Sequence, residues 1–459
     1  PDSSADTSNV PATVEGGKAK GLRLPSTDLQ RTSINCKKGA QDRGTNAMRT
    51  VTGSAGHLDT TQAVHVVLWH DPENSVFRND KLVGPLNEAT LFLRGFADDF
   101  NVSFEPSAAM TFQHATKVVD GAPHSRGAVW YGADGHVQVW QAKKDSGEVI
   151  YNLQGNVGVG TPFSPNMGLN VGNPVASNNI LISKDLGLYM LYWQQTMHDG
   201  AVRVRVGKFE EQTFFDRNAI AYDPIGGFLA QNFNQSAAIP FPEYGFGGAV
   251  SVDVNADITA RVSVQNSMSS GNTVGFDGMT ADTLFKIIEV DQRVWVPMGN
   301  VEREGHRRFI LWHSGIDDWQ SGSGYVNGWG AAFNMDQAIA DDTVMFCRVG
   351  WGQRAVTPMQ WAISAGVAAQ SVLPHVDMGV AVGWGQVTTL GRQALADPTT
   401  PAGNQLLVEW YANMHVSPSL HMGPVIQAVR DPAAGVSTSI VYLGDALTRS
   451  PLGPSSSTW

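Results

Sequence analysis

Arg203 and Arg205 stand two residues apart in the run Val202-Arg203-Val204-Arg205-Val206. Side chains alternate between two faces of an extended strand, so this spacing sets both guanidinium groups against three valines. One face wants hydrocarbon and the other wants water. Charged side chains ringing a water-filled constriction set ion and solute preference. The same pair could also do no more than solvate a wide wet wall. Lys208, Glu210, Glu211, Asp216 and Arg217 follow. Strict alternation would put Lys208 on the valine side unless the strand bulges at Gly207 or ends there.

No arrangement for covalent chemistry accompanies these residues. His65, His70, His306, His313, His415 and His421 lack metal-ligand spacing, and no nucleophile elbow, phosphate loop or Cys/His pair is present. Asp317-Asp318-Trp319 and Asp341-Asp342 could suggest paired acids or calcium ligands, but both fall at strand ends and read as solvated turns. The sequence therefore predicts no catalytic residue, no metal and no cofactor. Facing carboxylates for glycoside hydrolysis are a matter of distance, which sequence does not give.

The element that holds the two arginines is a hairpin, Asp185 to Asn218, with a tight turn at His198-Asp199-Gly200. Its first strand has two largely apolar faces, Leu188, Met190 and Tyr192 against Tyr189, Leu191 and Trp193. The whole chain has 459 residues, 49 Gly, 13 Trp and 16% charged residues, a composition that suits strands and turns better than helices. A net charge of -11 with no basic patch argues against a nucleic-acid partner. No apolar run reaches the length of a transmembrane helix, which leaves a β-barrel open because alternating strands score poorly on hydropathy.

Residues 1 to about 100 read as an N-terminal extension, polar up to about residue 60. Pro1 opens a stretch without the basic-then-apolar pattern of a signal peptide, which fits either a cytosolic protein or numbering that starts after processing. From about residue 102 to 446, strand candidates of roughly 10 residues recur about sixteen times, broken by Gly, Asn, Asp and Pro. Residues 404–416 show the pattern best. Leu406, Val408, Trp410, Ala412, Met414 and Val416 share one face, and Gln405, Glu409, Asn413 and His415 share the other. A soluble sandwich also alternates. Trp193, Trp312, Trp351 and Trp384 near strand ends favour a membrane barrel with an aromatic girdle. Cys347 shares a face with Met345, Val349 and Trp351, so it is expected to face lipid, unpaired with Cys36.

Three segments carry a family resemblance: VRVRVGKFEEQTFF (Val202 to Phe215), FLAQNFNQSAAIPFPEYGFGGAVSV (Phe228 to Val252) and EWYANMHVSPSLHMGPVIQAV (Glu409 to Val429). In this order they resemble the carbohydrate-selective porins of the OprB type, over about residues 102–446. The resemblance implies an all-β fold, a transmembrane antiparallel β-barrel of about 16 strands with an N-terminal extension, in the bacterial outer membrane. It implies passive diffusion of small polar solutes, sugars favoured, through a homotrimer set in outer-membrane lipid, with no enzymatic activity. It also implies that residues 218–240 fold into the pore. Asn232, Asn234 and Gln235 are then expected to bond sugar hydroxyls, and Phe228 and Phe233 to stack on sugar faces. Arg203, Arg205, Lys208 and Glu210 complete the expected pore lining. The alternatives are a general or structural porin, or a secreted carbohydrate-binding β-protein.

Overall fold

The computed structural model describes residues 75–76 and 102–449, except 160–166, 179–185, 223–226, 270, 272, 318–324, 394–402, 418–419 and 432–437. The chain divides into two units, Pro1–Arg49 and Thr50–Trp459, and all described residues belong to the second.

Sixteen strands form one closed antiparallel barrel. They are β1 (Glu105–Ala115), β2 (Ser125–Gln141), β3 (Ser146–Val159), β4 (Gly187–Met197), β5 (Val202–Phe209), β6 (Gly245–Asn255), β7 (Ile258–Asn266) and β8 (Leu284–Met298). The second half comprises β9 (Val301–Asp317), β10 (Tyr325–Ala338), β11 (Thr343–Gly352), β12 (Met359–Leu373), β13 (Val376–Val387), β14 (Asn404–Ser417), β15 (Leu420–Arg430) and β16 (Ser439–Arg449). Each strand pairs with its sequence neighbours, and β1 closes on β16 from Ser107↔Arg449 to Ala115↔Val441. All sixteen segments expected from alternation are strands. The last one runs three residues past the expected end at Ala446. Among the described residues no helix is long and apolar enough to cross a membrane, so any crossing is made by strands.

Connections at one end of the barrel have two to four residues, and those at the other end have six to thirty-five. The β4–β5 turn shows why the short ones can be so tight. His198, Asp199 and Gly200 adopt φ of 56°, 57° and 92°, the left-handed geometry that matches strand twist in a hairpin.

Alternation separates two faces. The outer one carries Met110, Phe112, Val206, Val262, Ile288, Leu311, Val380 and Val408, all well exposed. Trp351, Trp361 and Trp329 cluster on this face toward the long-connection end, with ring centroids 5.0 Å (Trp329–Trp351) and 6.4 Å (Trp351–Trp361) apart. Trp193 and Trp384 also lie on the outer face, opposite Val206 and Ile363 respectively. Trp312 does not belong to the girdle. It points inward and is 3% exposed, while its neighbour Leu311 faces out at 60%. The strand is apolar on both faces there because inward-folded chain packs against it, with Phe214, Phe285 and Val356 in the same cluster. Cys347 is a free thiol on the outer face, half-buried beside Met335 and Ala365. Its expected non-partner Cys36 lies outside the described residues.

Gly207 does not bulge. Pairing runs in register through Gly207 and Lys208 to both neighbouring strands. Gly207 has φ of 146°, and a methyl group there would lie 2.5 Å from the Leu191 carbonyl oxygen and 2.6 Å from Tyr192 Cα. Both are backbone atoms that cannot swing aside. We expect Gly207→Ala to lower the barrel's stability by about 1–3 kcal/mol. A thermal shift in heat-modifiable gel mobility would measure it, and an unchanged midpoint would show that the strand absorbs the methyl group.

Candidate functional site

Inner faces of neighbouring strands are joined by lateral hydrogen bonds. Asn152 on β3 donates to Asp134 on β2 at 2.7 Å, and Gln194 on β4 donates to Glu148 on β3 at 2.7 Å. Arg205 donates from Nε to Gln194 at 2.6 Å and from Nη1 to Ser251 on β6 at 3.3 Å. Arg203 pairs with Asp253 on β6 at 3.1 Å, and Thr259 on β7 donates to the same carboxylate. Further round, Arg261 contacts Glu289 at 2.6 Å and Asp291 at 3.3 Å, and Arg308 contacts Asp336 at 2.6 Å and Asp291 at 3.3 Å. This is how a polar inner wall arises from the period of two: every second residue is free to be charged, and strand pairing brings opposite charges side by side.

The described parts of two long connections fold inward. Residues 210–222 and 227–244, between β5 and β6, are pinned to the wall at several points. The Asp216 amide donates to Glu289 at 2.8 Å. Asp216 Oδ1 accepts from Arg348 Nε at 3.1 Å and from Asn334 at 2.8 Å, while its Oδ2 accepts from the Ser236 amide at 2.6 Å. Arg348 also donates to the Phe233 carbonyl. Asn218 donates to Asn334 at 2.8 Å. The amides of Leu229 and Ala230 donate to the two oxygens of Glu409 on β14, at 2.6 and 3.0 Å. Arg348, Asp216 and Glu409 are essentially inaccessible. Removing one partner of a buried pair such as Asp216–Arg348 costs about 3–5 kcal/mol, so the segment has a firmly specified position.

The second inward segment, described over residues 167–178 between β3 and β4, was not legible as such. Asn178 donates to Thr111 on β1, Gln405 on β14 donates to Asn173 at 3.0 Å, and Gln427 on β15 donates to the Ser177 carbonyl at 2.7 Å. Asn170 accepts from Arg126 on β2. The available signal was the long gap between strand candidates, filled with Gly, Asn and Pro, since unpatterned connections of this length are commonly functional.

Of the expected pore-lining residues, Arg203 and Arg205 stand on the inner face. Both are largely covered, and the Phe214 ring lies 4.2 Å from the Arg205 guanidinium carbon. Lys208 does not line the lumen. It keeps the outer parity of Val206, opposite Leu191 and Phe246, and the β7–β8 connection caps it. Its Nζ donates to the carbonyls of Leu188, Gly271 and Thr273 at 3.1, 2.7 and 2.7 Å. A lysine on the outer face costs about 2–4 kcal/mol at the bilayer midplane and about 0–1 near its edge. At a strand end with three carbonyl partners, Lys208 is tolerated. Phe228 and Phe233 are fully buried, packed on each other at 5.6 Å, with Phe228 also against Phe346 and Tyr411. Their ring faces are therefore spent on holding the segment to the wall. Asn232, Asn234 and Gln235 lie in or beside the short helix α1 (Gln231–Asn234) and are buried with it. The side-chain oxygens of Asn232 and Asn234 have no hydrogen-bond partner among the described residues.

Glu210 and Glu211 form the hinge where the β5–β6 segment turns inward. The Tyr244 hydroxyl accepts from Gln154 at 2.6 Å and bonds the Glu210 carboxylate. Glu211 is fully buried, and Ser263 donates to its Oε1 at 2.6 Å. Burial pushes the Glu211 carboxyl up to about 8, against the smaller opposing effect of that hydrogen bond. It is thus held mainly in its neutral form at pH 7. Among the described residues there is no cluster of His, Cys, Asp and Glu that could hold a metal ion. Arg217 and Tyr222, which follow the hinge, are half-buried, the guanidinium carbon 4.4 Å from the ring centroid.

The fold and this lumen have known counterparts. The high-pH structure of Pseudomonas putida OprB superposes with a TM-score of 0.61 at 14% identity, covering 78% of this chain and 96% of that one. Its low-pH structure gives 0.47 at 11% identity, covering 78% and 95%. A triple mutant of the Rhodopseudomonas blastica porin gives 0.49 at 10% identity, covering 76% and 100%. At these identities likeness speaks to fold alone, and only the first score exceeds 0.5. No curated protein matches the chain in sequence. The family model for carbohydrate-selective porins of the OprB family matches residues 141–448, from the last residue of β2 almost to the end of β16 and more than half of the chain. The chain belongs to the carbohydrate-selective porin family, OprB.

Proposed function

We propose that solutes pass between the inward-folded segments and the wall formed by β2 to β6, and that selection occurs along that wall. As a member of this family with a sixteen-stranded barrel, the chain is an outer-membrane channel for passive diffusion of small polar solutes, sugars favoured. One observation carries the assignment of the path. Most of the hydrogen bonds that pin the two segments go to β8, β10, β11, β14, β15 and β1, through Glu289, Asn334, Arg348, Glu409, Gln427 and Thr111, and fewer reach β2 and β3, where Arg126 bonds Asn170 and Gln154 bonds Tyr244. On β2 and β3, Asp134 and Glu148 stay half-buried. They are the accessible edge of a laterally bonded array, with the largely covered Asn152, Gln194, Arg203 and Arg205 behind them, and acceptors of this kind are what a polyhydroxylated solute can use in place of water. Arg217 and Tyr222 would face this wall from the segment side, giving an aromatic surface for a sugar ring.

The outer wall takes outer-membrane lipid, and three copies assemble into a homotrimer. Both parts of this reading rest on kinship with porins and on the apolar outer face. Chemical cross-linking of the detergent-solubilised protein tests the trimer, and a purely monomeric ladder would exclude it.

Planar-bilayer recording tests the function. A neutral hexose is expected to reduce single-channel conductance in a concentration-dependent way, and a conductance indifferent to hexose would leave only a general porin. The double variant Arg203→Ala, Arg205→Ala removes two positive charges and leaves Asp253 unpaired, so the reversal potential in a salt gradient should move toward cation preference. An unchanged reversal potential would take both arginines out of the selecting wall.

A further inference from the structure

The two inward segments meet each other as well as the wall. Gln231, the first residue of α1, makes two bonds to Ala176 of the β3–β4 segment. Its amide donates to the Ala176 carbonyl at 3.0 Å, and its side-chain Oε1 accepts from the Ala176 amide at 2.9 Å. Immediately beside this clamp the wall joins the same two segments a second time. Glu409 accepts from Leu229 and Ala230 of one, and Gln427 donates both to Ser177 of the other and to Glu409 at 2.8 Å. The circuit is closed: Ala176 to Gln231, along the chain to Ala230, to Glu409, to Gln427, to Ser177.

We infer that Gln231 is a positioning residue for selectivity: by clamping Ala176 it makes the two inward segments one brace, whose edge sets the width of the path. This rests on the reading that the segments narrow the path. The physical argument is one of stiffness. The wall contacts fix each segment where it touches the wall, and the Gln231–Ala176 clamp with the shared Glu409–Gln427 pair ties the stretches between those contacts so that they move only together. Gln231 suits the role because one residue supplies both a main-chain donor and a side-chain acceptor, matching the donor and acceptor of a single peptide residue. The side-chain half of the clamp can be removed without touching the wall.

Gln231→Met keeps the side-chain length and removes the acceptor. Its single-channel conductance should rise, and the D-glucose concentration that half-blocks the channel should rise by about fivefold, the equivalent of one net hydrogen bond. A second variant guards against misfolding of the first. In a Cys36→Ser, Cys347→Ser background, Ala176→Cys with Gln231→Cys places two thiols on neighbours whose main chains are hydrogen-bonded at 3.0 Å, and mass mapping verifies the disulfide formed on oxidation. Oxidised, it should conduct and be blocked like the parent; reduced, it should behave like Gln231→Met, reversibly in the same membrane. Parent-like conductance and block in Gln231→Met, or a cysteine pair indifferent to reductant, would overturn the inference. Absence of glucose block in the unaltered protein would instead strike at the sugar path itself, and conductance alone would then decide on the brace.

Discussion

In a bilayer no water is available to an open strand edge, and each unpaired backbone group there costs several kcal/mol. The pairing of β1 with β16 over Ser107 to Ala115 is therefore the contact on which the rest depends. Once the sheet is closed, it has an inside. Alternation then sorts the sequence without further instruction: Val202, Val204 and Val206 outward, Arg203 and Arg205 inward. The inside of a sixteen-stranded barrel is too wide for wall side chains to fill. The chain fills part of it with its own connections, which bond the inner wall at Glu289, Glu409 and Gln427.

Filling a polar lumen with peptide creates a burial problem, and the inner wall is built to solve it. The amides of Asp216, Leu229 and Ala230 would be orphaned away from water, and Glu289 and Glu409 accept from them. The guanidinium of Arg348 would be isolated, and Asp216 pairs with it. Inner-wall charge thus has two jobs that look alike in sequence. On β8 to β15 part of it anchors peptide, and part joins strand to strand, as in Arg308–Asp336. On β3 to β6 it is balanced between strands, as in Arg203–Asp253 and Arg205–Gln194. Along the path proposed above, the field would come from charges already half neutralised, which suits neutral solutes better than a bare arginine row would.

The division between these two jobs explains what the sequence could and could not tell. Strand number and the side taken by Arg203 and Arg205 follow from a local period of two, and both were legible. Which lumen residues meet folded-in chain depends on contacts across 100 residues or more, such as Asn218 with Asn334 or Leu229 with Glu409. Phe228 and Phe233 have the composition of sugar platforms, and only the packing of Phe346 and Tyr411 against Phe228 reveals them as anchors. Trp312 misleads for the same reason, because a strand covered on its inner face by apolar chain loses its alternation. Lys208 breaks the pattern in the opposite sense: parity did place it outward, and its three carbonyl partners come from elsewhere in the sheet and from a connection sixty residues on.

Anchoring and selecting are also coupled through the hinge. Glu210 and Glu211 sit where β5, the strand bearing both arginines, hands over to the inward segment, and Phe214 returns over Arg205 within four residues. Tyr192, Phe209 and Phe214 pack edge to face there at 5.5 to 6.0 Å, so the arginine wall and the segment share one aromatic joint. Burial favours a neutral Glu211 bonded to Ser263, so the charge at this joint is that of Arg205 over Phe214. The fold thus keeps its charges where strands can pair them and its hydrocarbon where the peptide must turn.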